Sequence, residues 1–149
     1  MRTILDANVL ISALLGWSAQ RGAEVAVVRA AIEGRFPLVL PPELIRETRS
    51  TLATRIHLRK VVTPADADAF LGLLIEAGFI PRELATPPPA ICRDPRDDYL
   101  LAHAAAEEVD FLVTGDKDLT SLDDSAFDFA IVRPRDFLAL LASGGLPQE

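Results

Sequence analysis

Apolar residues along the chain form short continuous runs that alternate with longer segments in which they recur about every 3.6 positions. Such runs are typical of buried strands, and such repeats are typical of helices with one buried face. The runs predict strands over residues 2–5, 36–40, 79–80, 110–114 and 129–132. The periodic segments predict helices over residues 9–15, 19–33, 42–58, 64–77, 94–108, 119–122 and 135–142. Strands that alternate with helices indicate a mainly parallel sheet with helices on both faces.

Residues at the expected helix ends support this division of the chain. Thr63 is suited to the N-cap of the helix predicted after it, and Gly78 is suited to its end. Asp94 followed by Pro95 is typical of a helix start. Three consecutive prolines within residues 86–90 predict a loop before that helix.

Length and composition fit a single intracellular domain. The chain has 149 residues, of which 50% are apolar, so it can form one hydrophobic core. It has one cysteine, so no internal disulfide is expected. No apolar run reaches the roughly 18 residues that a membrane helix needs. Asp6 and Asn8 interrupt the position that a signal peptide would fill. We expect a soluble, cytoplasmic protein with one domain over residues 1–142 and a frayed tail over residues 143–149.

Charge is distributed unevenly along the chain. The net charge is −7, which argues against a general nucleic-acid-coating protein. Residues 1–60 carry nine basic and five acidic side chains, whereas residues 61–149 carry six basic and seventeen acidic ones. Taken alone, this asymmetry favours a solvated acidic surface, and it is only a hint of a charged partner or a divalent cation.

Carboxylates occur where the predicted sheet would bring them together. Asp6 directly follows the first strand, and Asp116 follows the fourth. The carboxyl ends of parallel strands meet at one edge of the sheet, where ligands bind in folds of this class. Glu47 lies in the helix after the second strand, and Asp97 and Asp98 lie in the first turn of the helix after the proline-rich loop. Four parts of the chain therefore contribute acids to one region.

Carboxylates held close together repel one another unless a cation lies between them. A set of oxygen ligands selects Mg²⁺ or Mn²⁺ over zinc, and the two histidines, His57 and His103, do not have the spacing of a zinc site. Each acid taken alone is equally compatible with a helix cap or a surface charge. Their joint placement favours a metal site that acts on a phosphodiester.

Three segments resemble motifs of the PIN-domain family. They are Ile-Leu-Asp-Ala-Asn-Val-Leu at residues 4–10, Arg-Asp-Pro-Arg-Asp-Asp-Tyr-Leu-Leu-Ala at residues 93–102, and Phe-Leu-Val-Thr-Gly-Asp-Lys-Asp-Leu at residues 111–119. The spacing of the second and third segments makes the resemblance specific. Within the family, the chain is most similar to the toxin components of bacterial and archaeal toxin–antitoxin systems. The resemblance implies a three-layer α/β/α sandwich and an endoribonuclease that depends on Mg²⁺ or Mn²⁺.

The same resemblance implies the residues of the active site. Asp6, Glu47 and Asp116 match three acidic positions of the family. The remaining acidic position is matched by Asp97 through the Asp-Pro-x-Asp pattern, and by Asp98 through the spacing to Asp116. All five are predicted catalytic residues, and the predicted metal ligands are Asp6, Glu47, Asp98 and Asp116.

Three further residues are predicted to support this site. Asn8 matches a polar position that orients metal-bound water, and Thr114 matches the small hydroxyl residue near the last acid. Asp118 is either an outer ligand or a helix cap. Arg96 is a departure, because many relatives carry an acid there, and it makes the cluster less acidic.

Basic residues beside the acids are predicted to hold the substrate, which we expect to be single-stranded RNA. The candidates on and just after the helix that supplies Glu47 are Arg46, Arg49, Arg55, Arg59 and Lys60, and Lys117 adjoins Asp116. An ordinary solvated helix face explains the basic residues of that helix equally well. The resemblance also implies a cognate antitoxin protein that inserts an arginine among the acids, and a homodimer for which apolar positions in residues 64–77 would serve.

Three other functions were weighed against this prediction. A receiver domain needs a pair of acids after the first strand, whereas Ala7 and Asn8 follow Asp6. A phosphatase of the haloacid dehalogenase type needs a second aspartate two positions after the first, where the chain has Asn8. A catalytically inactive PIN-like binding module is disfavoured by the presence of every acidic position, and it remains the main alternative.

Overall fold

The computed structural model describes residues 1–144, and it confirms the alternation of strands and helices. Three parallel strands lie side by side in the order β1 (Thr3–Leu5), β2 (Phe111–Val113) and β3 (Ala130–Val132). The α-helices of the described residues are α1 (Ala7–Gly16), α2 (Ala23–Ile32), α3 (Pro42–Thr54), α4 (Ile56–Arg59), α5 (Pro64–Ala77), α6 (Asp98–Ala106), α7 (Lys117–Thr120) and α8 (Pro134–Ala142). Ser143 and Gly144 form a turn, and the rest of the predicted tail, residues 145–149, lies outside the described residues.

Two isolated parallel bridges extend the sheet beyond β1. Leu38 pairs with Thr3, and Phe79 pairs with Val39. The predicted strands over residues 36–40 and 79–80 are reduced to these bridges, because the prolines beside both segments lack the N–H groups that a longer ladder needs.

The order across the sheet creates a crevice between β1 and β2. From β1 the chain moves outward to Leu38 and then to Phe79, and it returns to the other side of β1 to form β2. Such a reversal opens a crevice at the carboxyl ends of the two strands on either side of it. Asp6 and Thr114 are the residues that follow those two ends.

Helices surround the sheet and confirm the predicted α/β sandwich. On one side α1 packs against α2 and α3, and α2 also contacts α5, whereas α6 packs on β2. The last helix, α8, returns to α2, and its fully buried Phe137 meets the rings of Phe36 and Phe111 edge to face. The core thus joins the end of the chain to its beginning.

Helix ends differ from the prediction where the backbone departs from helical angles. The predicted helix over residues 42–58 is interrupted at Arg55, whose backbone is extended (φ −75°, ψ 122°). The helix predicted to begin at residue 19 begins at Ala23, after Gly22 with a positive φ of 103°. The helix predicted from residue 94 begins with a 3-10 helix, Pro95–Asp97, before α6.

The predicted cap of α5 is confirmed. Thr63 Oγ1 accepts a hydrogen bond from the backbone N–H of Asp66, whose carboxylate accepts one from the N–H of Thr63. Across residues 1–144, no helix has both the length and the apolar character that crossing a bilayer demands.

Candidate active site

The ends of β1 and β2 are joined by a hydrogen bond between side chains. Asp6 is 3% exposed, and its backbone N–H donates to the carbonyl of Val113 at 2.9 Å. Thr114 is fully buried, and its Oγ1 donates to Asp6 Oδ2 at 2.7 Å. The same Oγ1 accepts from the N–H of Asp116 at 3.0 Å. Thr114 therefore fixes the Asp6 carboxylate relative to the loop that carries Asp116.

Asp116 begins the short helix α7. Its Oδ1 accepts from the N–H of Asp118 at 2.9 Å, so the residue is an N-cap as well as a member of the cluster. The carboxylate of Asp118 is exposed and lies 3.8 Å from Arg93. Asp118 thus orients Asp116 through its backbone, while its own side chain pairs with the neighbouring loop.

Glu47 reaches the crevice from α3, where it is half-buried. Its Oε1 accepts a hydrogen bond from the hydroxyl of Tyr99 on α6. Burial and the adjacent Glu47 carboxylate raise the pKa of Tyr99 above its ordinary value. The phenol is therefore a permanent donor that holds one oxygen of Glu47.

The two adjacent aspartates of the third acidic position lie in different environments. Asp97 is half-buried and faces the charges of Asp6, Asp116 and Glu47. Asp98 is 4% exposed, and its Oδ1 accepts from the backbone N–H groups of Ile91 at 3.0 Å and Cys92 at 2.6 Å.

These environments favour Asp97 over Asp98 as the acid of the cluster. The change from a 3-10 helix to α6 falls between the two residues, so consecutive side chains diverge, and Asp98 turns back to the preceding loop. The predicted role of Asp98 as a metal ligand is left without support, because its carboxylate is committed to holding that loop.

Burial and mutual repulsion raise the pKa values of two acids in the cluster. Burial raises the pKa of Asp6 to about 6, to which Glu47 and Asp116 contribute, although the hydrogen bond from Thr114 opposes the shift. Burial also raises the pKa of Asp97 to about 7, with further contributions from Asp6 and other neighbouring carboxylates. These shifts mean that burial and neighbouring carboxylates oppose the ionisation of Asp6 and Asp97 at neutral pH, and that a positive charge in the cluster would favour it.

Arg96 offsets the negative charge of the cluster only in part, because it lines the same cavity but interacts most strongly with Asp94. Its guanidinium is exposed and pairs with Asp94 at 2.8 Å, and this pair lowers the pKa of Asp94. Asp94 also caps the 3-10 helix by accepting from the N–H of Arg96 at 3.0 Å. The departure from the family pattern at Arg96 is thus balanced by a neighbouring acid.

An open groove passes over these acids. One cavity of about 560 Å³ is lined by Glu47, Asp97 and Asp116, and an adjoining cavity of about 620 Å³ is lined by Glu24. The exposed side chain of Asn8 and that of Asp116 line both. We call this continuous depression the acidic cleft. Because both cavities are open to solvent, the cleft suits a polymer better than an enclosed small molecule.

Two residues of the site were missed by the sequence analysis. Tyr99 is the only tyrosine of the chain, but nothing in its position indicates that it meets Glu47 across two helices. Glu24 lies in the first turn of α2, where an acid is ordinarily explained by the helix dipole. Arg55, by contrast, is one of the basic residues expected beside the acids, and it lines the cleft directly after α3 ends at Thr54.

The predicted RNA-binding residues differ in whether they already form ion pairs within the protein. Arg46 pairs with Glu83, and Arg49 lies 3.5 Å from Asp68, so both arginines already have acidic partners. Lys117 is exposed at the edge of the cleft and forms no ion pair with any residue from 1 to 144. Lys117 is therefore the predicted cation that is most available to a phosphate.

The donor set of the cleft fits a hard divalent cation. Within the part of the chain that the structure describes, no three Asp, Glu, His or Cys side chains are arranged as a complete metal site. Mg²⁺ does not require one, because it keeps several waters and uses one or two protein carboxylates. The acids of the cleft offer only oxygen donors. Burial, and then repulsion from neighbouring carboxylates, raises the pKa values of Asp6 and Asp97, and a bound cation would favour their ionised forms.

Fold and site together define an α/β sandwich with an acidic cleft at the crevice of its parallel sheet. A family model described as a PIN domain matches residues 2–118, a segment that contains the cleft acids Asp6, Glu47, Asp97 and Asp116. The chain therefore belongs to the PIN-domain family, whose members are generally nucleases. Comparison with curated proteins yields no significant match.

Proposed function

We propose that this protein is an endoribonuclease that depends on Mg²⁺ or Mn²⁺ and cleaves single-stranded RNA. The observation that carries the proposal is the gathering of four acids around one open cleft in which Arg96 is already engaged by Asp94; the acids are Asp6, Glu47, Asp97 and Asp116. A cluster that costs stability through repulsion is expected to have a function that needs it.

The proposed ligands are Asp6, Asp97 and Asp116, with Glu47 as an additional acid. When bound, a divalent ion supplies Lewis-acid activation of water and neutralises charge that develops on the phosphodiester. The protein holds these acids in place through Thr114, which donates to Asp6. Such supporting hydrogen bonds fix the ligands before the ion arrives.

The exposed amide of Asn8 and two unpaired cations support the proposed RNA substrate. Asn8 lines both parts of the cleft and has the donor and acceptor that orient a water or a phosphate oxygen. Arg55 and Lys117 lie at the cleft without ion pairs among residues 1–144, so each is available to a phosphate. Arg46 and Arg49 would first have to leave Glu83 and Asp68.

Cleavage of labelled single-stranded RNA tests this proposal. The unsubstituted protein is expected to cut with Mg²⁺ or Mn²⁺, whereas EDTA and the Asp6→Asn substitution should each abolish cutting. Asp128→Asn is the matched control, because it removes the same charge from an exposed residue ahead of β3, at the opposite edge of the sheet. Equal cutting by all three proteins would indicate a contaminant. Absence of both cleavage and calorimetric metal binding would overturn the proposal in favour of a binding module.

We also propose that the protein is the toxin of a toxin–antitoxin pair. The acidic cleft supports this role, because an arginine from an inhibitory protein would offer the cluster the charge it requires and would exclude metal. Expression of the protein in a bacterial host is expected to arrest growth, and the Asp6→Asn protein should not. Growth arrest by both proteins would contradict the proposal.

A homodimer is proposed on the basis of exposed apolar side chains near α5. Leu15, Val61 and Leu73 are 47%, 66% and 43% exposed and line one groove of about 580 Å³. Covering these side chains would remove apolar surface from water. Sedimentation equilibrium is expected to give a dimer, and Leu73→Glu should shift it to a monomer. A monomer at every concentration of the unsubstituted protein would refute this proposal.

A further inference from the structure

A basic pocket lies beside the acidic cleft at the same edge of the sheet. Its volume is about 470 Å³, and it is lined by Lys117, Arg133, Asp136 and the hydroxyl residues Thr120 and Ser121. Lys117 lines both this pocket and the cleft, so the two depressions adjoin. Arg133 and Asp136 lie beyond residues 2–118, the segment that the family model matches.

The residues that follow the strands change sign along this edge. Asp6 follows β1, and Thr114 and Asp116 follow β2, whereas Arg133 follows β3. Neighbouring strands lie about 4.8 Å apart, so the side chains after β1 and β3 are separated by roughly two such spacings. A single polynucleotide strand laid along the edge would meet the acids first and the basic pocket next.

Both cations of the pocket are available. Neither Lys117 nor Arg133 forms an ion pair with any of residues 1–144, and Arg133 is exposed. The N-terminal end of α8, a helix of nine residues, begins at this point and adds the positive end of its dipole. Asp136, in the first turn of α8, opposes the two cations. The hydroxyls of Thr120 and Ser121 donate to the carbonyls of Lys117 and Asp118, so the two cations are the groups that offer charge to a ligand.

We propose that the pocket formed by Lys117 and Arg133 binds a phosphate group of the RNA strand beside the bond that is cleaved. The inference rests on the proposed function for the identity of the strand. Lys117 and Arg133 hold the RNA backbone at a position outside the acids. This contact is needed because the negative charge of the cleft itself repels RNA. Because the contact is to phosphate, it contributes affinity and register and carries no base specificity.

Binding of a fluorescein-labelled RNA oligonucleotide tests the pocket separately from catalysis. The Asp6→Asn protein with Ca²⁺ keeps the RNA intact, and the fluorescence anisotropy is measured between 50 and 200 mM salt, on the order of the range over which phosphate contacts weaken. Arg133→Gln and Lys117→Gln are each expected to weaken binding about fivefold at low salt. Each should lower the slope of log K against log salt by about 0.7, the value for one phosphate contact of a single strand.

Two neighbouring substitutions are matched controls. Arg135→Gln removes the same charge two residues later, in the first turn of α8, from a side chain that does not line the pocket. It should leave the slope unchanged. Asp136→Asn removes the opposing acid and should tighten binding about threefold through reduced repulsion. Circular dichroism checks folding, and Arg133 makes no capping hydrogen bond through its side chain.

The outcomes separate this inference from the proposed function. Equal effects of Arg133→Gln and Arg135→Gln would show a general charge effect and overturn the pocket alone, provided that the unsubstituted protein still cleaves RNA. If the unsubstituted protein neither binds nor cleaves RNA, the proposed function fails and the pocket loses its ligand with it.

Discussion

The pKa values of carboxylates in the acidic cleft and of two carboxylates next to it are shifted in opposite directions. In the cleft, the pKa of Asp6 is raised to about 6 and that of Asp97 to about 7. Behind it, the pKa values of Glu43 and Asp98 are lowered.

The difference lies in what each carboxylate faces. Asp98 accepts hydrogen bonds from two backbone N–H groups of the preceding loop. Glu43 accepts from the N–H of Leu84 at 3.1 Å and lies 2.9 Å from Nε2 of His103, which is 1% exposed. Burial and neighbouring acids raise the pKa values of Asp6 and Asp97, and the hydrogen bonds to Asp6 from Thr114 and the backbone of Ala7 do not compensate.

This contrast teaches that the repulsion in the cleft is not a consequence of poor packing. The chain satisfies two carboxylates within a few residues of the cleft with N–H donors and a histidine, so suitable partners are available to the fold. The partners of Asp6 and Asp97 do not offset burial and repulsion, and this costs stability that is recovered when a cation binds. Glu43 and Asp98, which have hydrogen-bond partners, stabilise the fold, whereas Asp6 and Asp97 belong to the candidate site.

The largest effect is expected from Asp6→Asn. It removes the most buried acid of the cleft, so cleavage should fall by at least about 100-fold, the range seen when one electrostatic contact to the reacting group is lost. The metal-free protein should become more stable by on the order of 2 kcal/mol, because a carboxylate with a raised pKa no longer has to be ionised at neutral pH. Cleavage assays and urea denaturation in EDTA measure the two effects. Loss of activity together with loss of stability would show that Asp6 acts by stabilising the fold.

Asp98→Asn is expected to act in the opposite way. It weakens two charge-assisted hydrogen bonds to the loop, so the free energy of unfolding should fall by about 2 kcal/mol. Cleavage per folded molecule should be nearly unchanged. Asp97→Asn is the matched variant next to it: it should reduce cleavage by about tenfold or more without destabilising the metal-free protein. Equal loss of activity in both variants would restore Asp98 as a ligand.

The stability of the metal-free protein should depend on pH in a way that separates the two regions. Asp6 and Asp97 have folded pKa values above 3.8, so the stability they contribute when protonated is lost as pH rises through about 6 and 7. Glu43 and Asp98 have lowered pKa values, so their contribution is present at neutral pH and is lost only in acid.

Thermal unfolding in EDTA is therefore expected at a higher temperature at pH 5.5 than at pH 8. Saturating Mg²⁺ should remove most of the difference, because the ion stabilises the ionised form. The Asp6→Asn protein should show a smaller difference in EDTA. A midpoint that rises from pH 5.5 to pH 8 in EDTA would contradict the contrast between the regions.

The smallest effect is expected from Tyr99→Phe. The substitution keeps the ring and removes the hydroxyl that donates to Glu47, so Glu47 becomes free to turn away from the cleft. Apparent affinity for Mn²⁺ should fall by about tenfold, as for other supporting groups around a metal, and saturating Mn²⁺ should restore most of the rate. Asp128→Asn should leave both quantities unchanged. A lower rate at every Mn²⁺ concentration, with unaltered affinity, would assign Tyr99 another role.

Much of the fold was predictable because its signals are local. The run of residues 3–5 that ends at Asp6, and the capping box of Thr63 and Asp66, follow from the order of residues along the chain. The position of Asp6 and Asp116 at one edge also follows, since parallel strands have their carboxyl ends together.

Other features depended on distant contacts and could not be predicted. Which of the two adjacent aspartates, Asp97 or Asp98, enters the cleft was decided by a loop whose N–H groups required an acceptor. The freedom of Lys117 and the pairing of Arg46 and Arg49 depend on acids elsewhere in the chain.

By itself the sequence determined the class of fold, the acids available and the family they resemble, because periodicity, caps and strand ends are properties of neighbouring residues. Only the tertiary structure decided which acids repel and which are satisfied. Whether a carboxylate meets an N–H group, as Asp98 does, or another carboxylate, as Asp97 does, is a matter of a few ångströms between segments far apart in the chain. At such distances in a half-buried site, electrostatic energy changes by several kcal/mol, and no local pattern encodes it.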